Sequence, residues 1–122
     1  MIALAVMAAG GFGAVARFVV DGAVRSRWPG VTPWGTFVIN VTGSAVLGIV
    51  AGLVIFHAAP HGLQAIVGTG FCGGYTTFST AGFETVRLAQ KGERLRSAAY
   101  AVGTLAASVA ACAAGTALAY AF

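Results

Sequence analysis

The sequence predicts an all-α membrane protein of four transmembrane helices, the third broken near its middle. Three observations predict it. Hydrophobic residues fill 58% of the 122 positions and charged residues only 8%, whereas a soluble domain carries about 25% charged residues. The charges fall into two clusters, 17–27 and 84–96, and leave 28–83 and 97–122 free of Asp, Glu, Lys and Arg. The third apolar segment holds five glycines within 68–82, a composition unsuited to a continuous helix.

So few charges cannot cover an apolar core in water. A soluble enzyme, a disordered tail and a disulfide-rich module are therefore excluded. Four spans of roughly 20 residues each take up most of the length, so one integral domain, 1–122, is expected. The net charge of +4 would suggest nucleic acid in a soluble protein. Here the basic residues flank apolar segments and read as topology signals and lipid headgroup contacts, with no nucleic acid partner. Cys72 and Cys112 lie in apolar stretches without a CxxC pattern, which indicates neither a metal cluster nor a disulfide. The N-terminal stretch lacks a basic lead-in, so no cleaved leader is expected.

The first span is expected at about 1–20, with Arg17 as its one charge. A loop with Asp21, Arg25, Arg27, Pro29, Gly30 and Pro33 follows. The second span is expected at about 34–56, the third at about 63–88 and the fourth at about 97–122. His57, Pro60, His61 and Gly62 mark the turn between the second and third, and Lys91 to Arg96 the basic loop before the fourth. Arg25, Arg27, Arg87, Lys91, Arg94 and Arg96 all belong to the first and third loops, against no Lys or Arg in the termini and second loop. Positive-inside reasoning puts those two loops in the cytoplasm and both termini outside a multi-pass cell-membrane protein.

Several residues are unexpected in lipid. In the second span Thr36, Asn40, Ser44, Gly48 and Gly52 recur every four residues and form one stripe. Ser44, Gly48 and Gly52 read as close-packing positions; Asn40 either bonds a neighbouring helix or lines a polar path. In the fourth span Tyr100, Thr104, Ser108, Cys112 and Thr116 repeat the spacing. They either bond back to their own helix or line a path. Gly70 and Gly74 could serve as a GxxxG packing pair in an unbroken third helix. A break there instead frees carbonyls for cations, provided that protein or water covers them. Arg17 either snorkels to the interface or lends positive potential to a vestibule. Glu84 reads as structural and the two histidines as loop residues.

Three stretches carry a resemblance: Gly10-Gly11-Phe12-Gly13-Ala14-Val15-Ala16-Arg17-Phe18, Gly35-Thr36-Phe37-Val38-Ile39-Asn40-Val41-Thr42-Gly43-Ser44, and Gly70-Phe71-Cys72-Gly73-Gly74-Tyr75-Thr76-Thr77-Phe78-Ser79-Thr80. Together with the four-span layout they resemble the Fluc/CrcB family of fluoride channels. The resemblance implies a passive channel that lets fluoride leave the cytoplasm. It implies two antiparallel subunits, two narrow pores between them and a central structural sodium ion. Arg17 then corresponds to a vestibule arginine and Asn40 to a pore asparagine. Gly73 and Thr76 match positions whose carbonyls bind sodium. Phe78 matches the first pore phenylalanine, Ser79 and Thr80 follow it, and Tyr100 and Ser108 fall on a polar track.

The chain departs from that pattern at two places. Ala81 stands where the family motif continues with a second phenylalanine, and Cys112 where the track usually has Thr. The loop charges are one-sided, whereas insertion in both orientations calls for near balance. The missing phenylalanine and the one-sided charge suggest a paralogous partner subunit inserted the other way, with a homodimer of degraded pores as the competing reading. No nucleophile–base pair or phosphate-cradling loop suggests an enzyme. Two other classes fit the length: a small four-span proton-coupled antiporter and a non-conducting assembly subunit. The antiporter needs a membrane-embedded carboxylate, and the sequence offers only Asp21 and Glu84 near span ends.

Overall fold

The computed structural model describes residues 1–122. Helix takes up 85% of them and there is no strand. Three helices are long and apolar enough to cross a membrane: α1 (Ile2–Arg27), α2 (Trp34–His57) and α6 (Arg94–Tyr120). The remaining span is assembled from pieces. It runs through α3 (His61–Leu63), a wide π-helical stretch (Gln64–Cys72) and α4 (Gly73–Tyr75), leaves the helical path, and resumes as α5 (Ser79–Gln90). Thr76 is extended, with φ −78° and ψ 162°, and the segment bends by 25° near 76–78. The third span is thus broken, and the chain is a multi-pass, all-α membrane protein.

Two loops are shorter than the charge pattern predicts. α1 runs on to Arg27, so Asp21, Arg25 and Arg27 are helical. Asp21 accepts from Arg25 Nε at 2.8 Å one turn later, and Arg25 and Arg27 sit in the last turn, where cations complement the helix dipole. Charge marks a span end in lipid but does not stop a helix. In the same way α5 reaches Gln90 and α6 begins at Arg94. The third loop shrinks to 91–93, turned by Gly92 at φ +82°, a conformation that glycine adopts without strain. His57 ends α2 and its Nε2 lies 2.7 Å from the Ala119 carbonyl, so it ties α2 to the end of α6.

Backbone contact organises the packing. α1 lies along the π-helical stretch and α4, and α2 lies along α6. A Cβ on Gly74 would collide with the Gly10 carbonyl, and one on Gly13 with the Phe71 carbonyl. Gly70 faces Val6 and Ala9 in the same seam. The GxxxG pair therefore packs closely, but in a segment that breaks directly after it and not in the unbroken helix that was the alternative. On the other side Gly48 faces the Cys112 backbone and Gly115 the Ala45 carbonyl. Such small-residue seams let helices associate where lipid removes the hydrophobic driving force.

Gly74→Ala should lower stability by about 1–3 kcal/mol through overpacking against Gly10. Gly11→Ala is the control, because nothing lies within 4 Å of the added carbon; it should leave stability unchanged or raise it slightly. Thermal unfolding of the detergent-solubilised protein measures both.

Candidate pore-lining site

The break gives the site its shape. In an uninterrupted helix the N–H groups of Thr77, Phe78 and Ser79 would bond the carbonyls of Gly73, Gly74 and Tyr75. None of these bonds forms. Instead Asn40 on α2 takes both groups of Thr77. Its Oδ1 accepts from Thr77 N–H at 2.8 Å, and its Nδ2 donates to the Thr77 carbonyl at 2.9 Å. A side-chain amide has the donor and acceptor needed to stand in for a strand-like partner. Asn40 is 9% exposed, so little water competes for these bonds.

Other side chains complete the turn. Thr76 Oγ1 donates to the Cys72 carbonyl at 2.8 Å, closing the end of α4. Thr77 Oγ1 accepts from Thr80 N–H at 3.2 Å and donates to Thr80 Oγ1 at 3.0 Å. Thr77, one residue before the N-cap Phe78, therefore satisfies a free N–H in the first turn of α5. Arg17 Nη1 donates to the Thr76 carbonyl at 3.3 Å. The guanidinium is turned to the broken backbone rather than along the helix towards the interface. Arg17 and Asn40 thus converge on 76–77 from α1 and α2.

Beside the break lies an open groove of about 800 Å³ between α2, the third span and α6. Asn40, Gly73, Thr76, Phe78, Tyr100 and Ser108 all line it, and none of its lining residues is charged. Phe78 stands at its rim, 93% exposed. Ala81 lines the groove one turn further along α5. Thr80 faces a different cavity, towards the first loop. Arg17 and Ser79 line neither. Six of the nine residues singled out from the sequence are therefore brought to one surface. Arg17 and Thr80 act next to it, and Ser79 is an exposed residue at the start of α5.

The fourth-span stripe divides in two. Thr116 Oγ1 donates to the Gly48 carbonyl at 3.1 Å and to the Cys112 carbonyl at 3.0 Å. The end with Cys112 and Thr116 is thus a packing seam on α2. At the other end the Tyr100 hydroxyl donates to Glu84 Oε2 at 2.9 Å, with the Thr36 and Thr104 hydroxyls nearby. Arg25 Nη2 lies 3.7 Å from the other oxygen of Glu84. Thr104 Oγ1 and Ser108 Oγ are buried without any partner. A hydroxyl in a membrane helix usually bonds back to its own carbonyls, and neither of these does.

The match to known proteins now has a place to attach. Residues 4–116 match the family described as CrcB-like protein, Camphor Resistance (CrcB). The chain belongs to the CrcB family. Its curated relatives include "Fluoride-specific ion channel FluC 1" of Leifsonia xyli subsp. xyli, 60% identical over 75% of this chain and 66% of that protein. A protein of the same printed name from Frankia casuarinae is 45% identical over 95% of this chain and 94% of its own length. "Fluoride-specific ion channel FluC 2" of Cutibacterium acnes is 45% identical over 97% of both. The CrcB resemblance read from the three motifs is confirmed.

Two site residues escape a reading by family motif alone. Thr77 was legible only as one of a Thr-Thr pair, and its bond to Asn40 spans 37 positions. Thr104 sits midway between Tyr100 and Ser108 in the four-residue stripe, which was the available signal.

Asn40→Ala leaves the Thr77 N–H and carbonyl unsatisfied and should cost about 2–4 kcal/mol, one desolvation penalty for each group. Asn40→Asp keeps an acceptor for the N–H but sets a buried carboxylate oxygen against the Thr77 carbonyl, and should cost at least as much. Amide hydrogen exchange at 77–80 should accelerate in both variants.

Proposed function

We propose that this CrcB chain is a subunit of a passive fluoride channel that exports fluoride from the cytoplasm. The buried, unpartnered hydroxyls of Thr104 and Ser108 beside an uncharged groove carry the reading. A small, strongly hydrated anion enters an apolar layer only if donors replace its water. Thr104 and Ser108 supply free hydroxyl donors and Asn40 the second hydrogen of its amide, while Tyr100, whose one proton goes to Glu84, borders them. Arg17 supplies positive potential next to the break. Phe78 offers a ring whose edge is positively polarised, which suits contact with an anion. Several weak sites in series permit entry and release without a coupling ion. The relatives' printed names point to the same ion. A proton-coupled antiporter would need a carboxylate in the path, and the groove lining contains none. Nor does the arrangement call for a catalytic step.

The groove suits assembly with a second subunit. It is open on one side, and Phe78 projects from it with no ring partner in its own chain. An antiparallel partner would close the groove into a pore. The one-sided loop charge fixes a single orientation for this chain, with the first and third loops in the cytoplasm and the termini outside. A partner facing the other way is then a paralogue, and it supplies the aromatic ring that Ala81 lacks. A non-conducting assembly role is the remaining alternative.

A structural sodium ion fits the freed backbone. The Gly73 carbonyl lacks its helical donor, and Gly73 is exposed on the groove face. The Thr76 carbonyl accepts from Arg17 but keeps a second lone pair. Neutral carbonyl oxygens suit a hard cation. One chain offers few of them, which again favours a site shared between subunits. Bound there, the ion would neutralise the carbonyl dipoles that the break exposes.

Fluoride efflux from liposomes tests the reading. This chain alone should give little efflux, and co-reconstitution with a paralogue should restore it. Ala81→Phe should raise efflux of the co-reconstituted pair by about threefold to tenfold, the worth of one aromatic contact. Proton-coupled cation uptake would favour an antiporter, and no flux in any pairing a scaffold. Replacing sodium with N-methylglucamine should lower the unfolding temperature of the assembled channel, by the loss of a ligand bound only to the folded state.

A further inference from the structure

A second cavity opens on the side of the first and third loops. It measures about 480 Å³ and lies between the end of α1, the 28–33 loop, the first turn of α2 and α5. That size is within the range of small-molecule sites, about 300–1,000 Å³. Arg25, Arg87 and Lys91 line it. Arg25 is held by Asp21 and Glu84, but Arg87 and Lys91 make no ion pair. The one carboxylate in the lining, Glu84, is already engaged by Tyr100 and Arg25.

Two further features set the ligand's character. The first turn of α2 meets the cavity at Trp34 and Gly35, and that helix has no side-chain cap. That turn is already faced by the Asp21 carboxylate, which lies against Gly35, so it is the cations of the lining and not the helix start that attract an anion here. The same cavity carries Trp28, Trp34 and Phe83, which are 59%, 46% and 65% exposed. A free inorganic anion would have no use for these rings. Tryptophans at the level of a membrane interface contact the glycerol and upper acyl region of a lipid.

We propose that this cavity binds the phosphate headgroup of an anionic phospholipid. Arg87 and Lys91 hold the phosphate, and Trp28, Trp34 and Phe83 bracket the glycerol end. The site is separate from the groove and does not depend on which ion the channel passes.

Native mass spectrometry of the purified protein, titrated with phosphatidylglycerol and with phosphatidylcholine of the same acyl chains, tests it. The native chain should retain the anionic lipid in preference. The double variant R87Q/K91Q should lose about fivefold in retention per charge removed. R94Q/R96Q, on the same side but outside the cavity, should stay within about twofold of the native chain, since solvent and salt screen exposed charges. R87K/K91R should keep the lipid. If the double variant does not elute as a single species, Lys91→Gln alone should show the single-charge loss. Equal losses in the two double-glutamine variants would mean diffuse attraction and overturn the site. So would protection against heating by inorganic phosphate equal to that by the lipid. Unchanged lipid retention in R87Q/K91Q with reduced fluoride efflux from the co-reconstituted pair would make the cavity an ion mouth and also overturn it.

Discussion

Between Thr76 and Phe78 the backbone leaves the helical path within a hydrophobic span, where lipid provides no hydrogen-bond partner. Everything around the groove follows from how those groups are met. Asn40 takes the donor and acceptor of Thr77, Thr77 accepts from the first turn of the helix that resumes, and Arg17 takes the Thr76 carbonyl. The break is therefore specified by α1 and α2 as much as by its own sequence. A side-chain amide with both bonds made has a fixed orientation, which in turn fixes how α5 leaves the break.

The glycine seams make that possible. Gly10, Gly13, Gly70 and Gly74 bring α1 and the third span to backbone contact, close enough for Arg17 to reach Thr76. Gly48 and Gly115 do the same between α2 and α6, which brings Asn40 and the Tyr100–Ser108 stripe to one groove. Small residues at the seams and polar residues beyond them are parts of one arrangement. The seams set helix distance, and distance decides which polar groups find partners.

Those that find none mark the face that a ligand or a partner would use. The Thr104 and Ser108 hydroxyls, the Gly73 carbonyl and the Phe78 ring all belong to the open groove. Thr116, one and two turns away on the same stripe from Cys112 and Ser108, is satisfied by Gly48. A stripe uniform in sequence is thus divided by its neighbour into a packed half and an unpaired half.

The sequence alone determined the membrane class, the four spans, the break in the third and the family, because composition, charge gaps and the glycine-rich motif are local signals that need no partner. It also brought Asn40, Tyr100 and Ser108 to notice as polar residues misplaced in lipid, and Phe78 through the family motif. It misjudged where α1 ends, since Asp21 and Arg25 prolong a helix that their charge alone suggests is over. Only the tertiary structure decided that Asn40 serves Thr77, that Arg17 turns to Thr76, that Thr80 leaves the groove and that Cys112 packs. Each of these depends on which distant backbone group lies within hydrogen-bond reach, and that distance is set by how the helices pack, not by spacing along the chain.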